Sequence, residues 1–251
     1  MANWSDPRAT AAPAATRAGV AEAAFDAGLR SYMLSIYNYM ASGVLLTGVV
    51  ALFFAQMMGF NESPEIAAAN LQSLGMLNWL IVLSPLAFVM VLSFGINRLS
   101  TFTAQALFWA FAVSMGLSTS TIFVSYTQAS VAQTFFASAA AFAGLSLYGY
   151  TTKKDLSGFG TFLIMGVIGL LVAMLINLFL QSSMMSLVIS AIGVLLFAGL
   201  TAYDTQKIKS MYYHVSGTDF VGKSVVMGAL TLYLDFINMF MFLLRFMGDR
   251  R

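Results

Sequence analysis

Cysteine is absent from the 251 residues, histidine occurs once, and only 9% of the side chains are charged. The first absence excludes disulfides, thiolate metal sites and a cysteine nucleophile. The lone histidine, His214, leaves no room for a His-rich metal centre. The 22 charged side chains, 12 basic and 10 acidic, compare with roughly 25% in an ordinary soluble domain and cannot cover a water-soluble surface. A net charge of +2 with no concentrated basic face argues against nucleic acid as a partner. Phosphate-cradling glycine loops, zinc-type ligand clusters and flavin motifs are also missing. Gly158 and Gly160 stand in a short basic stretch and read as turn residues.

What the chain has instead is apolar length: 59% of its residues are apolar. Seven runs, near 34–56, 77–97, 104–125, 132–151, 160–180, 185–205 and 224–246, are each long enough to cross a hydrocarbon core of roughly 30 Å as a helix. They are too long and continuous for barrel strands, and a backbone in lipid must satisfy its own polar groups. The expected fold is therefore all-α and polytopic, with the lipid bilayer as partner. Residues 1–30, rich in alanine with Pro7 and Pro13, read as a flexible tail. They lack the apolar core and cleavage site of a signal peptide. Residues 31–251 form the seven-helix transmembrane domain.

The charges are sorted between the connections. Glu62 and Glu65 occupy the first, whereas Arg98, Lys153, Lys154, Lys207, Lys209 and Lys223 all fall in even-numbered ones. The positive-inside rule places the N-terminus and those connections in the cytoplasm. Arg245, Arg250 and Arg251 at the C-terminal end run against that bias, but residues 224–246 are long enough to cross, with Arg245 snorkelling to the far interface. Small residues at four-residue spacing, Ala140 with Gly144 and Ala198 with Ala202, predict close helix packing. Ser84 and Pro85 predict a kink, and Asn177 and Asn238 interhelical hydrogen bonds. The many Phe and Met side chains read as core or lipid contacts.

Acidic side chains inside apolar helices are costly and point to function. Asp204 stands at the end of the sixth run and Asp235 about halfway along the seventh, with no basic residue within a helical turn. Lys207 beside Asp204 also suits a solvated helix end, and Asp235 also suits a structural carboxyl. Counting 1.5 Å per residue from Lys223 puts Asp235 roughly 18 Å into the bilayer, with Asp204 near the interface and a long loop over 206–223. Pairing the two then needs a tilt, a deep cavity or a shifted seventh helix. His214 in that loop reads as a solvated residue.

The segments TAYDTQKIK at 201–209, LTLYLDFINMFMFLLRFMG at 230–248 and YGYTTKKDLSGFG at 148–160 closely resemble the Bax inhibitor-1 (transmembrane Bax inhibitor motif) family. The likeness extends over nearly all of 30–248. It implies a seven-helix fold with the C-terminal helix central and wrapped by the other six, and a calcium-leak activity that responds to pH. Asp204 and Asp235 match the family's hydrogen-bonded pH-sensing pair. Arg98, in SFGINRLS, matches the position of a latch to the first of them. Two close carboxylates in a poorly solvated site cannot both ionise cheaply, so they share a proton and titrate as a unit. Doubly deprotonated, they attract a hard divalent cation, so protons and calcium compete at Asp204 and Asp235.

No tightly bound cofactor is expected, and calcium enters as a permeant or bound ion. The compact loops look bacterial, which implies the cytoplasmic (inner) membrane. Two other functions fit parts of the pattern. One is a non-conducting regulator that binds another membrane protein in proteolysis or stress and cell-death pathways. The other is an intramembrane aspartyl protease: Asp204 follows Tyr203 as such an enzyme requires, but Leu232-Tyr233-Leu234-Asp235 lacks its Gly-x-Gly-Asp sequence. A non-enzymatic role is the expectation.

Overall fold

Lipid offers the backbone no hydrogen-bond partners, and the chain meets that condition with helices throughout. The computed structural model describes residues 12–60 and 62–250. Its helices are α1 (Ala12–Met57), α2 (Pro64–Leu74), α3 (Met76–Gly95), α4 (Thr101–Thr119), α5 (Ile122–Ser125), α6 (Gln128–Thr151), α7 (Ser157–Leu180), α8 (Ser183–Val215) and α9 (Val221–Met247). Among the described residues seven segments are long and apolar enough to cross a membrane: α1, α3, α4 continued through α5, α6, α7, α8 and α9. Among the described residues the only β pairing is an isolated bridge between Tyr126 and Arg250.

Short polar side chains start several of these helices by accepting a first-turn N–H. Ser100 accepts from Thr103, Thr127 from Ser130 and Ser182 from Met185. Of residues 1–30, expected as a flexible tail, 12–30 are instead the beginning of α1, and 1–11 lie outside the described residues. Alanine is the best helix former, and Pro13 stands in the first turn, where a missing N–H costs nothing. The first connection is not a plain loop either. It folds as α2, with Ser63 accepting from the Ile66 N–H at 3.2 Å and Glu65 in its first turn, where a negative charge suits the helix dipole.

The C-terminal helix is the axis of the bundle. It packs against α8, α1, α6 and α4, whereas α3 leans on α4 and α7 on α8. The expectation of one helix wrapped by six is thus met by four inner helices with α3 and α7 outside them. Hydroxyl bonds tie the inner helices together: Tyr233 on α9 meets Thr47 on α1 at 2.6 Å, and Thr47 donates to the Ala112 carbonyl on α4 at 2.8 Å. Beyond α9, the Asp249 N–H donates to Ser130 Oγ at 2.9 Å and the Thr127 N–H to the Asp249 carbonyl at 3.2 Å. Asp249 and Arg250 therefore lie beside the α5–α6 connection, opposite the lysine-bearing turns, and α9 crosses the whole bundle.

Two packing expectations change. Ala140 and Gly144 are exposed, and a Cβ on Gly144 would meet nothing within 4 Å, so that small pair faces outward instead of seating a helix. Asn238 donates to the Leu234 carbonyl of its own helix, and Asn177 accepts from the Ser182 N–H at the α7–α8 turn. Both asparagines thus serve local backbone rather than a neighbouring span. α3 continues through Pro85, the position expected to bend it. Ser84 Oγ donates to the Ile81 carbonyl at 2.9 Å, the group that Pro85 cannot serve.

Candidate functional site

Asp204 on α8 and Asp235 on α9 are both buried, with 9% and 5% of their surfaces exposed. Their carboxyl groups lie within interaction reach of each other, and a hydrogen bond between two carboxyls requires one of them to carry a proton. Asp235 Oδ2 is buried without a hydrogen-bond partner among the described residues.

The depth mismatch expected from the sequence disappears because α8 does not stop near residue 205. It continues to Val215, and the turn before α9 is only residues 216–220, with Gly217 at a φ of +77° that favours glycine. Measured from that turn, Asp204 lies about 16 Å down α8 and Asp235 about 21 Å down α9 at 1.5 Å per residue. An antiparallel hairpin with one long arm thus puts the two carboxyls at nearly one level. His214 is exposed in the last turn of α8 and not in a loop. Thirty-three residues make a helix of about 50 Å, so the lysine-bearing end of α8 extends past a core of roughly 30 Å, and the pair lies toward that boundary.

The sequence segment around Asp204 is a row of contacts to the α6–α7 region. A Cβ on Gly149 would collide with the Ala202 carbonyl, so α6 and α8 touch backbone to backbone there. Thr205 shares a hydrogen bond with Ser146 at 2.9 Å, and Ser146 shares another with the Tyr37 hydroxyl at 2.7 Å. Gln206 accepts from the Leu156 N–H and donates to the Lys154 carbonyl, both at 2.8 Å. Lys209 donates to the Tyr150 carbonyl at 2.8 Å. Gly160 is buried in the first turn of α7 beside the Tyr203 ring; it and Gly158 belong to a helix, which corrects their reading as turn residues. All three recognised sequence segments therefore meet at one place.

Lys207, one turn after Asp204, is the cation whose charge acts on it. Arg98 stands exposed in the turn after α3, and its N–H donates to the Gly95 carbonyl at 2.8 Å. Among the described residues no ion pair joins Arg98 to Asp204. Nor do the described residues contain a group of three or more metal-capable side chains. Calcium takes six to eight oxygens, so two carboxylates suit a passing or competing cation better than a resident one. Sequence reasoning found both aspartates but missed Tyr37, Ser146, Thr205 and Gln206. Only Thr205 and Gln206 carried a signal, their place inside the recognised segment 201–209.

Residues 29–251 match the family described as inhibitor of apoptosis-promoting Bax1. The inner membrane protein YbhL of Escherichia coli is 44% identical over 227 residues, 90% of this chain and 94% of its own length. A protein of Rickettsia prowazekii is 46% identical over 228 residues, 90% and 93% of the two chains. A membrane protein of Streptococcus pyogenes is 40% identical over 223 residues, 89% and 94%.

Proposed function

The chain belongs to the Bax inhibitor-1 family, and from that premise we propose that it is a pH-responsive calcium leak of the bacterial inner membrane, gated by Asp204 and Asp235. The observation that carries this reading is the carboxyl pair itself, buried between α8 and α9 and close enough to interact directly, an arrangement that favours a shared proton. The pair binds its shared proton in the closed arrangement. Losing that proton leaves two negative charges in contact, and their repulsion favours an arrangement in which α8 and α9 separate. A gate of this kind works because the pair interacts differently with the two arrangements.

The freed carboxylates are hard oxygen ligands that draw in calcium, so calcium and protons compete. The charged groups around them enter the same balance: Lys207 on α8, and Arg98 at the end of α3, whose latch role belongs to the gating cycle. The N-terminus and the lysine-bearing turns face the cytoplasm, so the gate responds to cytoplasmic pH.

The test is calcium entry into sealed liposomes that contain the full chain and an entrapped calcium dye, measured across a pH series. Because the proton holds the gate shut, entry rises as pH rises. Replacing both residues (Asp204→Asn with Asp235→Asn) abolishes the pH dependence, and a double variant that keeps it overturns the gate. No entry at any pH in the wild type replaces the channel with a non-conducting regulator of another membrane protein. Aspartate-dependent cleavage of a membrane peptide points to proteolysis.

A further inference from the structure

Beside α9, α1 and α6 run antiparallel and meet only lightly, through Tyr37 and Ser146 among others, and between them lies an open groove of about 980 Å³. One wall is α1 from Arg30 to Leu45, the other is α6 from Phe135 to Tyr150, and Phe236 of α9 forms part of the floor. Fifteen residues of helix rise about 22 Å, enough to run from the interface past the middle of a core of roughly 30 Å. Arg30 is the sole charged residue of the lining. The Tyr37 and Ser146 hydroxyls hydrogen-bond to each other, so the groove presents hydrocarbon along its length. Its mouth is basic, since Arg30 is exposed there and Lys209 lies 4.9 Å from the centre of the Tyr150 ring.

An apolar groove open sideways to the bilayer, one leaflet long and positive at its interfacial end, has the dimensions and charge of a phospholipid. We propose that it is a lipid-binding site: one acyl chain of an anionic phospholipid from the lysine-side leaflet lies between α1 and α6, with its phosphate on Arg30. The lipid stands directly behind the aspartates. Ser146 in the groove bonds Thr205, the neighbour of Asp204, and Phe236 is the neighbour of Asp235. The groove and its test are independent of whether the protein conducts calcium.

The experiment places the full chain in phosphatidylcholine nanodiscs doped with a phosphatidylglycerol that carries a photoactivatable group midway along one acyl chain. After irradiation, labelled residues are mapped by mass spectrometry. Labels are expected to concentrate on Met40, Ala41, Ala139 and Ala143 over the lipid-facing Ile168 and Leu171 of α7, and to be displaced by excess unlabelled phosphatidylglycerol. Ala143 is exposed on the groove wall, so Ala143→Trp fills the groove without entering the core and removes the groove labels while sparing those on α7. Arg30→Gln lowers the preference for phosphatidylglycerol over a matching phosphatidylcholine probe about fivefold. Even labelling of groove and α7, insensitive to competitor, means bulk lipid only and overturns the site. An unchanged headgroup preference in Arg30→Gln overturns the phosphate contact.

Discussion

Helices α7 and α9 invert the rule learned from soluble proteins. α7 has a mean hydropathy of 2.7 and carries no charge, yet only 11% of its apolar window is buried inside the bundle. α9, at 1.7 and with Lys223, Asp235 and Arg245 along it, is 72% buried. Lipid is as apolar as leucine, so hydropathy places a helix in the bilayer without drawing it to the centre. Packing and interhelical hydrogen bonds decide that, and α9 has both. Tyr233 is fully buried against Phe108 and Phe111, and its hydroxyl bonds α1.

The largest effect that can break the comparison is truncation of one leucine on each helix. Leu232 on α9 is fully buried, whereas Leu178 on α7 is 66% exposed. Leu232→Ala should cost about 2–5 kcal/mol through the cavity it leaves, and Leu178→Ala less than about 0.5 kcal/mol, both read from denaturant unfolding in detergent. Equal losses would mean that α7 is held as tightly as α9.

Glycines sharpen the contrast at the next scale. Gly149→Val drives a side chain into the Ala202 backbone behind Asp204 and should cost about 1–3 kcal/mol, whereas Gly169 on α7 faces open space and Gly169→Ala should stabilise by about 0.5–1 kcal/mol. Thermal unfolding of the two variants checks the difference in sign.

The smallest effect lies at the exposed start of α7. The Ser157 side chain, and then its backbone N–H, hold the Asp155 carboxyl below the usual carboxylate range. A lowered folded-state value stabilises above the ordinary carboxylate pKa of about 3.9, and that contribution is lost as pH falls through the lowered value. Asp155→Asn should therefore lower the unfolding temperature slightly at neutral pH and not at all in strong acid. A decrease of equal size at both pH values would assign the loss to geometry instead of charge.

The seven crossings were legible because each is a local property of about twenty consecutive side chains. Asp235 was conspicuous for the same reason, a carboxylate amid leucine and phenylalanine. The true length of α8 was hidden, since residues 206–215 are polar enough to read as a loop, although a helix that leaves the membrane needs no apolar surface. Tyr37 and Ser146 were invisible among the many hydroxyls of the chain. Nothing in Gly149 announced that it, and not Gly144, is where two helices touch.

By itself the amino-acid sequence determined the solvent, the number of membrane-spanning segments and the two carboxyl groups out of keeping with it, because transfer into hydrocarbon is summed along a segment, residue by residue. Only the tertiary structure decided that α9 is the axis, that Asp204 and Asp235 lie nearly level and side by side, and that α1 and α6 leave a groove between them. Those outcomes depend on how helices of nearly equal polarity fit one another, and shape complementarity between distant segments has no counterpart in a local sum of hydropathy.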